Sequence, residues 1–206
     1  MAVTIVDFGV GNIGSIQNML KKVGSQCVLA NRAEDIQSAT KLILPGVGSF
    51  DAGMQHLNDS GLRPALDDAV LVRKIPVAGI CLGMQMMTQG SEEGSLPGLG
   101  WVPAQALRFR PSAGEVMKVP HMGWSGAMQV KNSVSLDLLE QDPRFYFVHS
   151  YYVICRERLD ALLTARYGSV TFDAAFERGN ILGFQFHPEK SHRFGLAILK
   201  AFVDRY

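Results

Sequence analysis

Pro76-Val77-Ala78-Gly79-Ile80-Cys81-Leu82-Gly83-Met84-Gln85 is the stretch on which the fold turns. Residues 76–80 form an apolar run that stops at Cys81, and 84–88 read as helical. A short continuous apolar run bounded by turn residues is the pattern of a strand buried on both faces. Gly79-Ile80-Cys81-Leu82-Gly83 then has the G-x-nucleophile-x-G form of a strand-to-helix elbow, with cysteine where serine is familiar. The two glycines are expected to allow a tight turn that a Cβ would obstruct. Such a turn lifts the side chain to the carboxyl end of the sheet, where open α/β sheets bind ligands. The helix that follows starts there, and its free N–H groups favour a thiolate and an oxyanion. Free cysteines are more often small buried core residues, and a five-residue motif also matches by chance. The elbow therefore needs partners elsewhere in the chain.

Upstream, strand and helix signals alternate. Val3 to Phe8 is an apolar run ending at Gly9, and Gly11, Asn12 and Gly14 turn the chain into a helical stretch from Ser15 to Val23. Ile16, Met19, Leu20 and Val23 lie on one face of that helix. Cys27 to Ala30 and Lys41 to Leu44 are two more short strands, the second stopped by Pro45-Gly46. Apolar strands between helices argue for a parallel sheet covered on both faces. Downstream the character changes. Trp101 to Val130 carries Gly and Pro breaks and no clear helix. Phe145 to Ile154, Ala161 to Tyr167, Val170 to Phe176 and Ile181 to Phe186 are strand-like and closely spaced. They suggest antiparallel additions to the sheet. A helix from about Ser191 closes the chain, with Phe194, Ile198, Ala201 and Phe202 on one face. Residues 1–206 read as one domain, with no repeat, low-complexity tract or linker.

Bulk properties narrow the function classes. Hydrophobic residues are 47% and charged residues 19% of the chain, an ordinary globular composition. A formal charge of +1 with no dense basic block offers nothing to nucleic acid or an anionic membrane. The three cysteines are odd in number and widely spaced, which suits neither a disulfide framework nor a zinc site, so no metal or other cofactor is expected. A reducing compartment fits best. The first residues lack a charged leader, and no stretch approaches the roughly 20 apolar residues that span a bilayer, so a cytoplasmic location is expected.

The partners for Cys81 lie in Gln185-Phe186-His187-Pro188-Glu189-Lys190. A thiol nucleophile needs a base within reach, and the base needs a third group to hold its tautomer. In an extended segment positions i and i+2 face the same way, so His187 and Glu189 are expected on one side. Pro188 biases His187 toward an extended conformation. On spacing alone His149 and His121 remain competitors for the base. Pro45-Gly46-Val47-Gly48 follows the third strand, and two glycines around one residue let a backbone N–H turn toward a carbonyl oxygen. An ordinary turn is the alternative.

Together, P-G-V-G at 45–48, G-I-C-L-G-M-Q at 79–85 and Q-F-H-P-E-K-S at 185–191 resemble the class I, triad-type glutamine amidotransferases in order and separation. V-D-F-G-V-G-N-I-G-S at 6–15, K-V-P-H-M-G-W at 118–124 and F-Y-F-V-H-S-Y at 145–151 are, more narrowly, similar to glutaminase subunits of imidazole glycerol phosphate synthases. The resemblance covers essentially the whole chain. It implies a flavodoxin-like α/β fold with a central mostly parallel sheet flanked by helices, and additional antiparallel strands in the C-terminal half. It implies Cys81 as nucleophile, His187 as base and then acid, and Glu189 as orienter. The N–H of Leu82 and the Val47–Gly48 peptide correspond to the oxyanion hole. Gly48, Gln85, His149, Ser150 and Tyr151 correspond to glutamine-binding positions. Lys190, Asn12, and an interface loop of His121, Gly123 and Trp124 correspond to the partner interface, although Trp124 reads equally as a core aromatic.

The chemistry so implied is glutamine hydrolysis through a glutamyl thioester, releasing ammonia and glutamate. Ammonia in neutral water is protonated and loses its nucleophilicity, so delivery requires a sealed route. The chain carries no phosphate-binding fingerprint and no second catalytic constellation. The resemblance therefore implies a heterodimer with a (β/α)8-barrel cyclase serving histidine biosynthesis. Two positions depart from the pattern. Ser125 stands where family members commonly carry Asn, and S-H-R-F-G at 191–195, with His192, resembles paralogues that feed bacterial surface-sugar amidation. A cysteine peptidase of similar architecture and a catalytically dead regulatory module are the rival readings. The H-P-E order and the P-G-V-G loop argue against the first, and the intact Cys81, His187 and Glu189 against the second.

Overall fold

The structure, a computed structural model, describes residues 2–206. The first half is a βα alternation: β1 (Val3–Val6), α1 (Ile13–Lys22), β2 (Cys27–Ala30), α2 (Ala33–Gln37), β3 (Leu42–Leu44), α3 (Phe50–Asp59), α4 (Arg63–Asp67) with a π turn after it, β4 (Val77–Ile80) and α5 (Leu82–Met86). The second half holds β5 (Ala104–Arg108), β6 (His121–Gln129), β7 (Arg144–His149), β8 (Tyr151–Cys155), β9 (Ala161–Tyr167), β10 (Val170–Arg178), β11 (Ile181–Phe184) and the closing helix α6 (His192–Arg205).

Nine strands form one sheet in the order β2-β1-β3-β4-β11-β10-β9-β6-β7. The half from β2 to β11 is parallel, and the half from β11 to β7 is antiparallel. Every residue of β1, β3, β4 and β11 is buried, as the continuous apolar runs require of strands covered on both faces. One cover is α3, α4 and α5, through residues such as Phe50, Met54, Leu57, Leu66 and Met84. The other is α1 and α6, through Ile16, Met19, Leu20, Ile198, Leu199 and Phe202. Lys41, buried where β3 begins, donates through Nζ to the carbonyls of Phe202 and Val203 and so ties the end of α6 to the sheet. Burial pulls its ammonium below the usual lysine range, partly offset by Asp204. Among the described residues, no helix is long and apolar enough to cross a membrane.

Two expectations need correction. Phe145 to Ile154 is not one strand. It breaks at Ser150 into β7, which pairs with β6, and β8, which pairs with β5 in a separate two-stranded sheet. The side-chain alternation runs on through the break, with Phe145, Phe147 and His149 buried before it and Val153 and Cys155 after it. A period-2 pattern is the same whether the chain stays in one sheet or changes sheets. The second correction is at 101–130, where β5 and β6 stand in a stretch that reads as broken. The glycines of β6, His121-Met122-Gly123-Trp124-Ser125-Gly126, suppress the strand signal, and its pairing with β7 and β9 overrides it.

Candidate active site

Strands β4 and β11 run parallel, side by side, so their carboxyl ends open at the same edge of the sheet. Cys81 follows β4 there, and its N–H donates to the Phe184 carbonyl at 2.7 Å. Its backbone sits at φ 52° and ψ −107°, a conformation side chains rarely adopt, at a cost of about 1–3 kcal/mol. The glycines of the elbow play the part expected of them, since a Cβ at either would obstruct the turn. Neither is among the left-handed glycines, and Cys81 itself takes the strained angle. What Gly79 and Gly83 supply is clearance. A Cβ on Gly83 would lie 2.0 Å from the Leu44 carbonyl oxygen, and one on Gly79 would lie 2.8 Å from the backbone of Gly83. Helix α5 thus packs its backbone directly onto β3 and β4, and Cys81 is pushed up between them with only 8% of its surface exposed.

His187 follows β11 at the same edge, held by donation from its N–H to the Tyr146 carbonyl at 2.9 Å. Its Nδ1 meets Glu189 Oε1 at 2.8 Å. The pair does not arise from simple extended spacing. His187 is extended, but Pro188–Lys190 is a 3-10 turn that folds the carboxylate back against the ring. Ser191 fixes this turn, its hydroxyl donating to the His187 carbonyl at 2.7 Å and accepting from the Tyr146 N–H at 3.0 Å. Both side chains of the pair are almost wholly buried. His187 Nε2 and Glu189 Oε2 have no hydrogen-bond partner among the described residues. Burial alone pulls His187 down, but the neighbouring Cys81 and Glu189 favour its imidazolium, and together they raise it to about 9.

The two competing histidines are already engaged. His149 Nδ1 donates to the Tyr151 carbonyl at 2.7 Å, since a carbonyl only accepts. Its Nε2 then accepts from His121 Nδ1 at 3.1 Å, and His121 Nε2 accepts from the Ser125 hydroxyl at 2.8 Å. Burial pushes both below the usual imidazole range, His149 to about 3 and His121 to about 4. Neither has a free nitrogen to take a proton from Cys81.

A pocket of about 330 Å³ opens over the sulfur, within the size range of small-molecule sites. Its walls bring together Val47, Gly48, Cys81, Leu82, Gln85, His149, Ser150, Tyr151, His187 and Lys190. Glu93, Pro120 and Val148 also line it, and no sequence signal marked them. Gly48 has φ +104°, a conformation that frees the loop from a Cβ. Gln85 turns its Nε2 to the Tyr151 carbonyl at 3.0 Å and to Gln185 Oε1 at 3.1 Å. Gln185, another unmarked residue, is fully buried beside Cys81. Of the residues read as partner-facing, Lys190 stands 5.8 Å above the Tyr146 ring, and Trp124 stacks on His192 at 5.3 Å with 39% of its surface exposed. Asn12 precedes α1 without a side-chain cap bond. The expected loop at 121–124 is a strand, part of β6, and His121 is buried against Phe147 and Tyr167. Among the described residues, no group of three or more His, Cys, Asp or Glu is placed to hold a metal.

The family model described as "Glutamine amidotransferase class-I" matches residues 4–205. The chain belongs to the class-I glutamine amidotransferases. This amidotransferase is 48% identical over 202 residues to "Imidazole glycerol phosphate synthase subunit HisH 2" of Pseudomonas aeruginosa, with 98% of each chain covered. It is also 48% identical over 204 residues to the subunit of the same name in Methanococcus maripaludis, covering 98% of this chain and 99% of the relative. Among solved structures, PurLQS of Thermotoga maritima matches with TM-score 0.71 at 17% identity, covering 99% of this chain and 98% of that one. The glutaminase domain of Trypanosoma brucei CTPS with bound acivicin matches with TM-score 0.67 at 16% identity, covering 98% of this chain and 94% of that one. At such identities the structural likeness speaks for the fold alone. Family membership removes the peptidase reading. In this amidotransferase a sulfur and an imidazole face one pocket, and a carboxylate holds the imidazole's opposite nitrogen from behind, the arrangement that thioester chemistry requires.

Proposed function

We propose that the chain is the glutaminase subunit of an imidazole glycerol phosphate synthase, with residues 1–206 forming a single glutaminase domain. The observation that carries the chemistry is the convergence of Cys81 and His187 on one pocket at the shared edge of β4 and β11, with Glu189 on the far nitrogen of His187. Cys81, its proton passed to His187 Nε2, attacks the carboxamide carbon of glutamine through Sγ. Glu189 holds the ring so that Nε2 faces the sulfur. The tetrahedral oxyanion is met by the Leu82 N–H and the Val47–Gly48 peptide. Collapse of this intermediate breaks the C–N bond, and His187 returns the proton to the departing nitrogen as ammonia. Water then attacks the γ-glutamyl thioester with His187 as base, releasing glutamate and restoring the thiol. Gln85, His149, Ser150 and Tyr151 shape the glutamine pocket. Near-full-length identity to named synthase subunits supports the pathway.

The partner in this reading is a (β/α)8-barrel cyclase that receives the ammonia, with glutamine as the small-molecule substrate. Lys190, Trp124 and Asn12 belong to the face turned toward it. A second reading, supply of ammonia for a bacterial surface sugar, keeps one observation in its favour. The two departures from the family pattern both act on β6, Ser125 by its bond to His121 and His192 by stacking on Trp124. The deciding experiment is growth of a histidine auxotroph lacking its own glutaminase subunit, supplied with this chain and its cognate barrel. Rescue at low ammonia supports the histidine role. Failure to rescue, with a barrel that binds no histidine-pathway intermediate, selects the sugar reading.

A further inference from the structure

Gln185 is a polar side chain with none of its surface exposed, in contact with the sulfur of Cys81. It stands two positions before His187 at the end of β11, so both side chains point to the same face. Burying a carboxamide is costly unless its hydrogen bonds are made. Here they are made in one sense only, and a single group fixes that sense. The Tyr151 carbonyl can only accept, so the Gln85 group 3.0 Å from it is the NH2. The second hydrogen of that NH2 goes to Gln185 Oε1 at 3.1 Å. The Gln185 NH2 is then left facing Cys81 Sγ at 3.9 Å, a long contact suited to sulfur. Two consequences follow. Gln85 has both hydrogens engaged inward, so it presents its carbonyl oxygen, an acceptor, to the pocket. Cys81 can lose its own proton and still keep a donor.

We propose that Gln185 is a positioning residue for the reaction, holding the deprotonated sulfur with its carboxamide N–H and fixing the orientation of Gln85 with its carbonyl oxygen. The inference rests on the reading of Cys81 as nucleophile. No proton moves on Gln185 in any step. It acts by favouring the anion of its neighbour, because a hydrogen bond to a charged acceptor is about twice as strong as one between neutral groups.

The test is the pH profile of Cys81 alkylation by iodoacetamide, mapped by mass spectrometry, in the full-length chain and in Gln185→Met and Gln185→Glu. Met fills the space without a donor, and Glu keeps the shape while replacing the donor with an acceptor. The profile of Gln185→Met should move to higher pH by about one unit, a roughly ten-fold slower alkylation below it, and that of Gln185→Glu should move further. A residue that merely fills space would give no such order. An unshifted profile in a variant that melts like the parent overturns the proposal. Should both variants fail to fold, the side-chain amide resonance of Gln185 in the unmodified protein decides. It must move when Cys81 is alkylated, and a static resonance overturns the proposal. Alkylation needs no turnover, so an absence of glutaminase activity would sink the functional reading while leaving this result readable.

Discussion

Cys81 carries a side chain in a backbone conformation that glycine adopts without strain. This inverts the ordinary order of two substitutions. Both Cys81→Ala and Cys81→Gly remove the sulfur and are expected to abolish glutamine hydrolysis. Alanine keeps the Cβ and with it the strain, whereas glycine relieves it. The glycine variant should therefore be the more stable of the two by about 1 kcal/mol, after its greater loss of chain entropy. Urea midpoints of the two variants measure the difference, and a more stable alanine variant would contradict the strain. The same residue should be selectively labelled by a glutamine-like diazo-ketone. Cys155 is buried, and its thiol is pushed up by burial and by the Asp173 carboxylate. Cys27 lies on β2, away from the pocket. A label found on Cys155 by peptide mapping would remove Cys81 from its role.

At the scale of elements, the site depends on one short turn more than on any strand. The 3-10 turn Pro188–Lys190 brings Glu189 onto His187, and Ser191 clamps it to both the His187 carbonyl and the β7 backbone. Ser191→Ala leaves the Tyr146 N–H without its acceptor in a buried place, which costs about 1–3 kcal/mol. The turn is also freed to open. The expected result is a lower urea midpoint together with a kcat that falls while KM for glutamine holds, because the glutamine walls at Gln85 and Tyr151 are untouched. A loss confined to stability, with kcat intact, would show that the turn holds its shape without Ser191.

Across the whole molecule the buried histidines set a pH window. His121 and His149 are held near 4 and near 3, below the ordinary value of 6.5. The unfolded chain therefore takes up protons first, and their contribution to stability is present above about 6.5 and lost as pH falls toward 4 and then 3. His187 has the opposite sign. Its value is raised to about 9, so its contribution is full below 6.5 and lost as pH rises through 9. The two trends together place the stability maximum near pH 6.5, with a fall toward 4 on one side and toward 9 on the other. Urea unfolding across that range checks the claim. A midpoint that stays flat from pH 6.5 down to 4 would mean that His121 and His149 are not buried in neutral form.

Local features are legible in the amino-acid sequence. The apolar runs at β1, β2, β3 and β4, the elbow around Cys81, the H-P-E tripeptide and the P-G-V-G loop each occupy a few consecutive residues, so their identity and place are legible, though the 3-10 turn at Pro188–Lys190 and the strained angle of Cys81 are not. What depends on partners distant in the chain emerges only in the folded molecule. His187 rather than His149 or His121 is free to act as base because the other two spend their nitrogens on Tyr151, on each other and on Ser125. Gln185 turns its amide to the sulfur because a carbonyl 34 residues upstream can only accept. The division of 145–154 between two sheets leaves the alternation of its side chains unchanged, so only the pairing with β5 and β6 reveals it. Periodicity records which face of a segment is buried, but not which neighbour buries it or which atom of that neighbour gives or takes the hydrogen bond.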